Sequence, residues 1–509
     1  MLRERTHPAD RPSRSEAGCT VYSTNRMEAA QEGRFTQTQR PSARAVLAVA
    51  APLAAGLALR VWMLKALFEV NGDSLIYGGI ARNLLLHGQY ALSLPSGEMY
   101  PTLIRLPGYP LFLALCFKLF GVENYFSVAC VQVAMDLVSC LLLADFARRV
   151  VPGRYRRGAA LATLWLAALC PFTASYAALP MAETPTIFTL ALAMNAMARF
   201  RRRPAWGSAL VFTFAVTSAT LLRPDGALAA ICFAPLLLLT WRHCAGPVRI
   251  GGRQIVAMAA VCALLALAPF VVWTARNWRT FHVFEPLAPR LANDPGEDPD
   301  LGWEHWVKSW CLDFVSTYEI WWNVPWDKLD VSELPSRAFD SPAQFAETVA
   351  LADDYNNHGM EITPQIDARF EKLARERIAD DPVRYYAWLP MGRVVDMWLR
   401  PRVENLPIDL DWWVYAHHHR ETEFSWGYVA LNALYLLMGV LGMWKRPRFW
   451  LALAAYIILR SALLLTIEAP ETRYTLECFP MLFALGGVAT SHIFARSYLS
   501  KANAPEGRG

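Results

Sequence analysis

Six charged residues lie within reach of the ends of apolar runs, spread over 400 positions of the chain. Asp73 sits in NGDSLIYGGIARNLLLHGQY, Arg105 precedes LPGYP, and Glu183 follows ALPMA. Arg223 closes an apolar run in LLRPDG, and Glu471 and Arg473 share EAPETRY. Asp73 stands just ahead of Ile76, Ile80, Leu84 and His87 at helical spacing. Its carboxylate therefore either caps a helix N-terminus or accepts a proton from an acceptor hydroxyl, and spacing alone favours the cap. Taken singly, each of the other charges reads as a snorkelling or paired interfacial group. Gathered on one face they would offer more: a carboxylate to take or orient a proton, and guanidiniums that bond phosphate oxygens in pairs.

The elements that must position these groups are apolar helices. Of 509 residues 54% are hydrophobic and 18% charged, including 19 Trp; soluble domains carry about 25% charged residues, and Trp concentrates at membrane interfaces. Ten stretches qualify as candidate spans: 45–66, 125–147, 159–178, 183–199, 206–222, 226–241, 254–274, 426–444, 449–467 and 475–495. With the N-terminus inside, the short inner loops hold 15 Arg and Lys, among them Arg148, Arg149, Arg199 and Lys445, against Arg223 and Arg473 on the outside. That asymmetry sets the orientation and places the six charges on the outer face. The run 106–121 is left out of the count, because including it would invert every later loop; it is expected to be an interfacial or partly buried helix.

The net charge of +5 is distributed in these short basic blocks, a topology signal rather than a nucleic-acid footprint. Most of the ten cysteines fall inside apolar spans, and no CxxC pair is present, so neither a disulfide framework nor a zinc site is read. Residues 1–44 read as a disordered cytoplasmic tail and 496–509 as a second cytoplasmic tail. Between them lie an N-terminal transmembrane module (45–274) with its first outer loop (67–124), an extracytoplasmic subdomain (275–425) and C-terminal transmembrane helices (426–495). Within the subdomain, Trp303, Trp306 and Trp310 recur at helical spacing, fitting either a helix lying on the outer leaflet or the core face of an external domain. Residues 365–380 read as a charged exposed helix ended by Pro382. His417, His418 and His419 read as a solvated loop, and His282 as a weak metal or substrate candidate.

Asp73 with Tyr77, Ala81, Asn83, Leu84 and Gly88 resembles the opening motif of the GT-C superfamily of membrane glycosyltransferases. The resemblance is to family 39-like enzymes, which include protein O-mannosyltransferases and lipid A aminoarabinose transferases. RLPGYPLFLALCFKLFG at 105–121, Glu183, Arg223–Pro224, Arg276–Asn277 and the E-x-R-Y of Glu471–Tyr474 recur in a similar order. The resemblance implies an all-α polytopic bundle of about ten spans with juxtamembrane helices and a mostly helical outer subdomain. It implies Asp73 as catalytic aspartate, Glu183 as an acid near the site, and Arg473 on the phosphate of a polyprenyl-phosphate sugar donor. Tyr77, Arg105, Arg223, Arg276, His282, Glu471 and Tyr474 are the substrate-binding candidates. The acceptor would be a lipid, protein or polysaccharide, and the group moved a hexosyl or pentosyl residue, at the outer face of a cytoplasmic membrane with both termini inside. Ser74 stands where many relatives carry Glu; no metal ligand is assigned, and a divalent metal stays open as cofactor. The rival readings are a transporter or flippase of lipid-linked sugars, which would place charges near the bilayer midplane in repeated halves, and an O-antigen-type ligase.

Overall fold

In a computed structural model the chain is described over residues 42–70, 72–242, 251–410 and 419–502. All but the last three positions of the N-terminal tail, His417 and His418, and residues 503–509 lie outside these. The described chain is all-α apart from one small hairpin, β1 (Ala91–Ser93) against β2 (Met99–Pro101).

Each of the ten apolar stretches folds as helix. The helices are α1 (Ala43–Leu67), α2 (Asp73–His87), α3 (Gly108–Phe120), α4 (Tyr125–Val150), α5 (Arg156–Ala168), α6 (Pro171–Ala177), α7 (Glu183–Arg202), α8 (Trp206–Leu222), α9 (Ala227–Leu238) and α10 (Gly252–Phe281). They continue with α11 (Leu301–Lys308), α12 (Pro342–Asn357), α13 (Pro364–Asp380), α14 (Leu389–Leu399), α15 (His419–Trp444), α16 (Trp450–Leu464) and α17 (Phe479–Ala502). Among the described residues five helices are long and apolar enough to cross a membrane: α1, α4, α10, α15 and the run Thr472–Ala495 that leads into α17. The stretch expected as one span at 159–178 is instead broken by 55° between α5 and α6. Pro171 opens α6 and Cys170 before it is extended, because proline removes a ladder donor and disfavours helix in the residue preceding it. Helices α8, α9 and α16 have 17, 12 and 15 residues, fewer than the ~20 that cover a hydrocarbon core. The count of ten thus stands as ten helical stretches, five or six of which have the length and composition of a span.

The main core joins α4, α5, α7 and α17 through side chains such as Phe146, Leu190, Met194, Phe479 and Phe483. A second core lies within residues 303–374, joined by Ala469. Trp303, Trp306 and Trp310 are buried there against Phe370 and one another, so the stripe is a core face and not a leaflet-bound surface. The segment 365–380 is likewise not simply exposed: α13 buries Ile366, Phe370, Leu373, Ala374 and Arg377. Its polar residues had masked a stripe at helical spacing, which packs on α11. A different stripe is uncovered, since Trp388, Met391, Val395 and Leu399 of α14 and its entry are all exposed.

The run at 106–121 forms α3, whose 13 residues are too few to span. Tyr109, Leu113 and Phe117 are buried while Leu111, Leu115 and Leu119 are exposed. Gly108 begins this helix hard against the end of α8: a Cβ there would sit 2.5 Å from the carbonyl of Leu221. Only a glycine permits that approach, and it seats the start of α3, just after Arg105, against the end of α8, just before Arg223.

Candidate active site

Asp73 opens α2 and makes no capping bond to its own backbone. Its carboxylate points away, one oxygen to each of two arginines: Arg105 Nη2 donates to Oδ1 at 2.8 Å and Arg473 Nη1 to Oδ2 at 3.0 Å. The geometry excludes the cap. Helix α2 ends at Gly88, left-handed at φ 68°; its N–H returns to the Leu84 carbonyl and that of Gln89 to the Asn83 carbonyl. Asn83 donates its side-chain amide to the Ala91 carbonyl and the Ser93 hydroxyl, fixing the hairpin that leads to Arg105.

Arg473 lies on a 3₁₀ turn, Thr472–Cys478, directly before α17. Besides Asp73 it pairs with Glu471 and lies 3.8 Å from Glu183 Oε1. Tyr474 donates its hydroxyl to Glu471, and its ring lies under the guanidiniums of both Arg473 and Arg223 at 5.7 and 5.5 Å. Glu183 occupies the first turn of α7 and accepts from Arg223 Nη1 at 3.1 Å. Its second oxygen is buried with no hydrogen-bond partner among the described residues. Tyr77 packs edge-on to Tyr109 at 5.0 Å, beneath Arg105 at 5.7 Å.

Eight of the ten sequence candidates therefore meet: Asp73, Tyr77, Arg105, Glu183, Arg223, Glu471, Arg473 and Tyr474. Arg276 does not join the ion pairs. From the end of α10 it donates to the carbonyls of Thr102 and Tyr90, both at 2.7 Å, with the rings of Tyr90, Trp273 and Phe281 around it. Tyr90 in turn donates to the Arg105 carbonyl at 2.9 Å. Arg276 is thus a clamp on the loop that presents Arg105. His282 is the exposed, left-handed last residue of that helix end, φ 59°, and no bond among the described residues ties it to the cluster.

Three members went unread in the sequence. Asp225, Arg460 and Glu477 complete the ion-pair chain: Arg223 Nε lies 2.8 Å from Glu477, Arg460 lies 3.1 Å from Glu477, and Arg460 contacts Asp225. The signal was available, since Arg460 interrupts the apolar run of 449–467 and Glu477 that of 475–495. A charge inside such a run is itself a marker of function. The connected network holds five carboxylates (Asp73, Glu183, Asp225, Glu471, Glu477) and four guanidiniums (Arg105, Arg223, Arg460, Arg473).

Electrostatics sharpen the role of Asp73. Burial opposes its ionised form, but Arg473 and Arg105 outweigh burial and hold its carboxyl down to about 2. Burial likewise opposes the charge on Arg105, and Asp73 more than restores it, raising its pKa. An anionic oxygen entering between the two arginines competes for donors that Asp73 now holds. Such an anion would leave Asp73 less stabilised and more basic. No group of three or more His, Cys, Asp or Glu among the described residues is arranged to hold a metal ion.

Residues 104–273 match the dolichyl-phosphate-mannose–protein mannosyltransferase family. That stretch contains Arg105, Glu183 and Arg223 and excludes Asp73 and Arg473. No curated protein matches the chain. Among solved structures, the chain is similar to the oligosaccharyltransferase AglB of Archaeoglobus fulgidus, solved with an inhibitory peptide and a dolichol-phosphate. The identity is 12% and the TM-score 0.45, over 91% of this chain and 52% of that one. It is also similar to ArnT of Cupriavidus metallidurans bound to undecaprenyl phosphate, at 15% identity and TM-score 0.37, over 89% and 79% of the two chains. The chain spans about half the length of the oligosaccharyltransferase. The family match thus runs from just before α3 into α10, about a third of the chain.

Proposed function

We propose that the chain transfers a glycosyl group, hexosyl or pentosyl, from a polyprenyl-phosphate donor to an acceptor at the extracytoplasmic membrane face. One observation carries the reading: Asp73 and Arg473, 400 residues apart, are joined in one partly buried ion pair together with Arg105. A polyprenyl chain confines its phosphate to the membrane interface, and the match of residues 104–273 to a dolichyl-phosphate-mannose-dependent family supports such a lipid as donor. The basic inner loops support an outer site with both termini inside.

In this reading Arg473 and Arg105 receive the donor phosphate, with Arg223 behind them. The anomeric carbon–oxygen bond breaks, and the electron pair leaves with the phosphate, whose growing charge the guanidiniums stabilise. The acceptor oxygen attacks from the opposite face and the configuration inverts. Asp73, relieved of its arginines by the phosphate, orients the acceptor hydroxyl and takes its proton. Glu183 offers its unpartnered buried oxygen as a second acceptor of substrate hydrogen bonds.

Asp73→Asn keeps the shape and removes the base. Transfer into envelope lipids or proteins, followed by mass spectrometry with and without the variant, should fall by a factor of about 10²–10⁴. The variant should still express and elute from size exclusion as wild type. Unchanged transfer would overturn the assignment.

A further inference from the structure

The network continues past the groups a substrate could reach. Glu477 and Arg460 are each 1% exposed at the side chain, against 18% for Arg223 and 23% for Asp73. Arg460, in α16, donates through Nε to the Tyr474 carbonyl at 3.0 Å, bonds Asp225 through Nη1, and places Nη2 3.1 Å from Glu477 Oε2. Glu477 Oε1 then lies 2.8 Å from Arg223 Nε, and Asp225 Oδ1 lies 3.6 Å from the same nitrogen. Arg223 thus meets carboxylates along two edges: its Nε in close ion-pair contact with Glu477, whose oxygens make no hydrogen bond among the described residues, and its Nη1 donating to Glu183 at 3.1 Å.

We propose that Arg460 and Glu477 are positioning residues that fix the guanidinium of Arg223 as the inner wall of the lipid-phosphate site. The proposal rests on the transferase reading above and adds to it a second layer that meets no substrate. The physical reason is the shape of the contact. A guanidinium held only at its Nη edge pivots about its side chain, whereas one gripped at Nε as well presents a fixed plane. Arg460 keeps Glu477 in place and, through the Tyr474 carbonyl, fixes the turn that also bears Arg473. It therefore sets both arginines from a single point in α16.

The competing interpretation is that the two buried charges only neutralise each other. Removing one alone would then destabilise the protein, while removing both together would be nearly harmless. The test uses the full chain in detergent micelles and undecaprenyl phosphate as probe, comparing wild type, Glu477→Gln, the double variant Arg460→Met/Glu477→Gln, and Arg223→Lys with and without Glu477→Gln. The double variant should melt within a few degrees of wild type yet bind the probe about 10- to 100-fold more weakly, the loss typical when the group orienting a ligand is removed. The losses from Arg223→Lys and Glu477→Gln should not add, because both act through one guanidinium. Wild-type affinity in a folded double variant overturns the positioning role and leaves the transferase reading standing. Failure of the double variant to fold also overturns it, by making the pair a folding element. A wild-type chain that does not bind the probe overturns the transferase reading itself, and this proposal with it.

Discussion

Two clusters of buried charge differ in a way that separates architecture from chemistry. Arg60 of α1 and Asp136 of α4 form a closed pair, with side chains 0% and 4% exposed. Arg60 donates to Asp136 at 2.7 Å and to the carbonyls of Gly56, Ala168 and Ala167, the last two at the broken end of α5. Neither residue has a buried polar atom without a partner among the described residues. The Asp73–Arg473 network is built otherwise. It carries five carboxylates against four guanidiniums, opens partly to the outside, and leaves Glu183 with an unpartnered oxygen. A pair with every bond made has nothing left to offer a substrate. A network with spare acceptors and shared donors can exchange partners, and catalysis needs that property.

The contrast can be broken first at the closed pair. Arg60→Met leaves Asp136 buried without its cation and should cost about 3–5 kcal/mol of stability, most of what holds a typical domain. Thermal unfolding in micelles would read it, and Arg60→Met/Asp136→Leu should recover much of the loss. If Arg60→Met melted as wild type, the pair would not be the structural staple described here. At the open network the expected effect moves from stability to turnover. Arg473→Gln should lower glycosyl transfer about 10²- to 10³-fold, through the lost stabilisation of the leaving phosphate, while unfolding shifts little. A collapse of the fold in that variant would erase the distinction between the clusters.

The smallest effect is on pH. The Asp73 carboxyl is depressed in the folded protein, so its contribution to stability is present above the ordinary carboxylate range and lost as pH falls. From an ordinary 3.8 to about 2 the linkage is worth about 2 kcal/mol, lost progressively between roughly pH 4 and pH 2. Unfolding followed across that window in wild type and Asp73→Asn should converge at the acid end. Parallel curves would mean that the arginines do not grip Asp73 in solution.

Much of the site was legible because its residues sit at the ends of apolar runs, where a charge is visible against its surroundings. Asp73, Arg105, Glu183, Arg223, Glu471 and Arg473 were found that way, and the order of weak motifs added Tyr77 and Tyr474. Arg460 and Glu477 were hidden because averaging over an apolar run dilutes one charge, and Arg60 and Asp136 were hidden for the same reason. Asp136 lies well inside α4, within the apolar stretch 125–147. Motif order also placed Arg276 in the right neighbourhood without revealing its task, since a guanidinium that holds backbone carbonyls reads the same in sequence as one that holds phosphate. The tryptophan stripe shows a related limit: periodicity identifies a face but not what covers it. Trp303, Trp306 and Trp310 are covered by protein, while Trp388, Met391, Val395 and Leu399 are not.

The distance in sequence between Asp73 and Arg473 also governs when the machinery is armed. The first partner leaves the ribosome about 400 residues before the second, an interval of roughly 20–80 s at ordinary rates of synthesis. Throughout that time Asp73 lacks the second of the two arginines that share its carboxylate. The last turn to be made, just ahead of α17, works as the key that completes the lock.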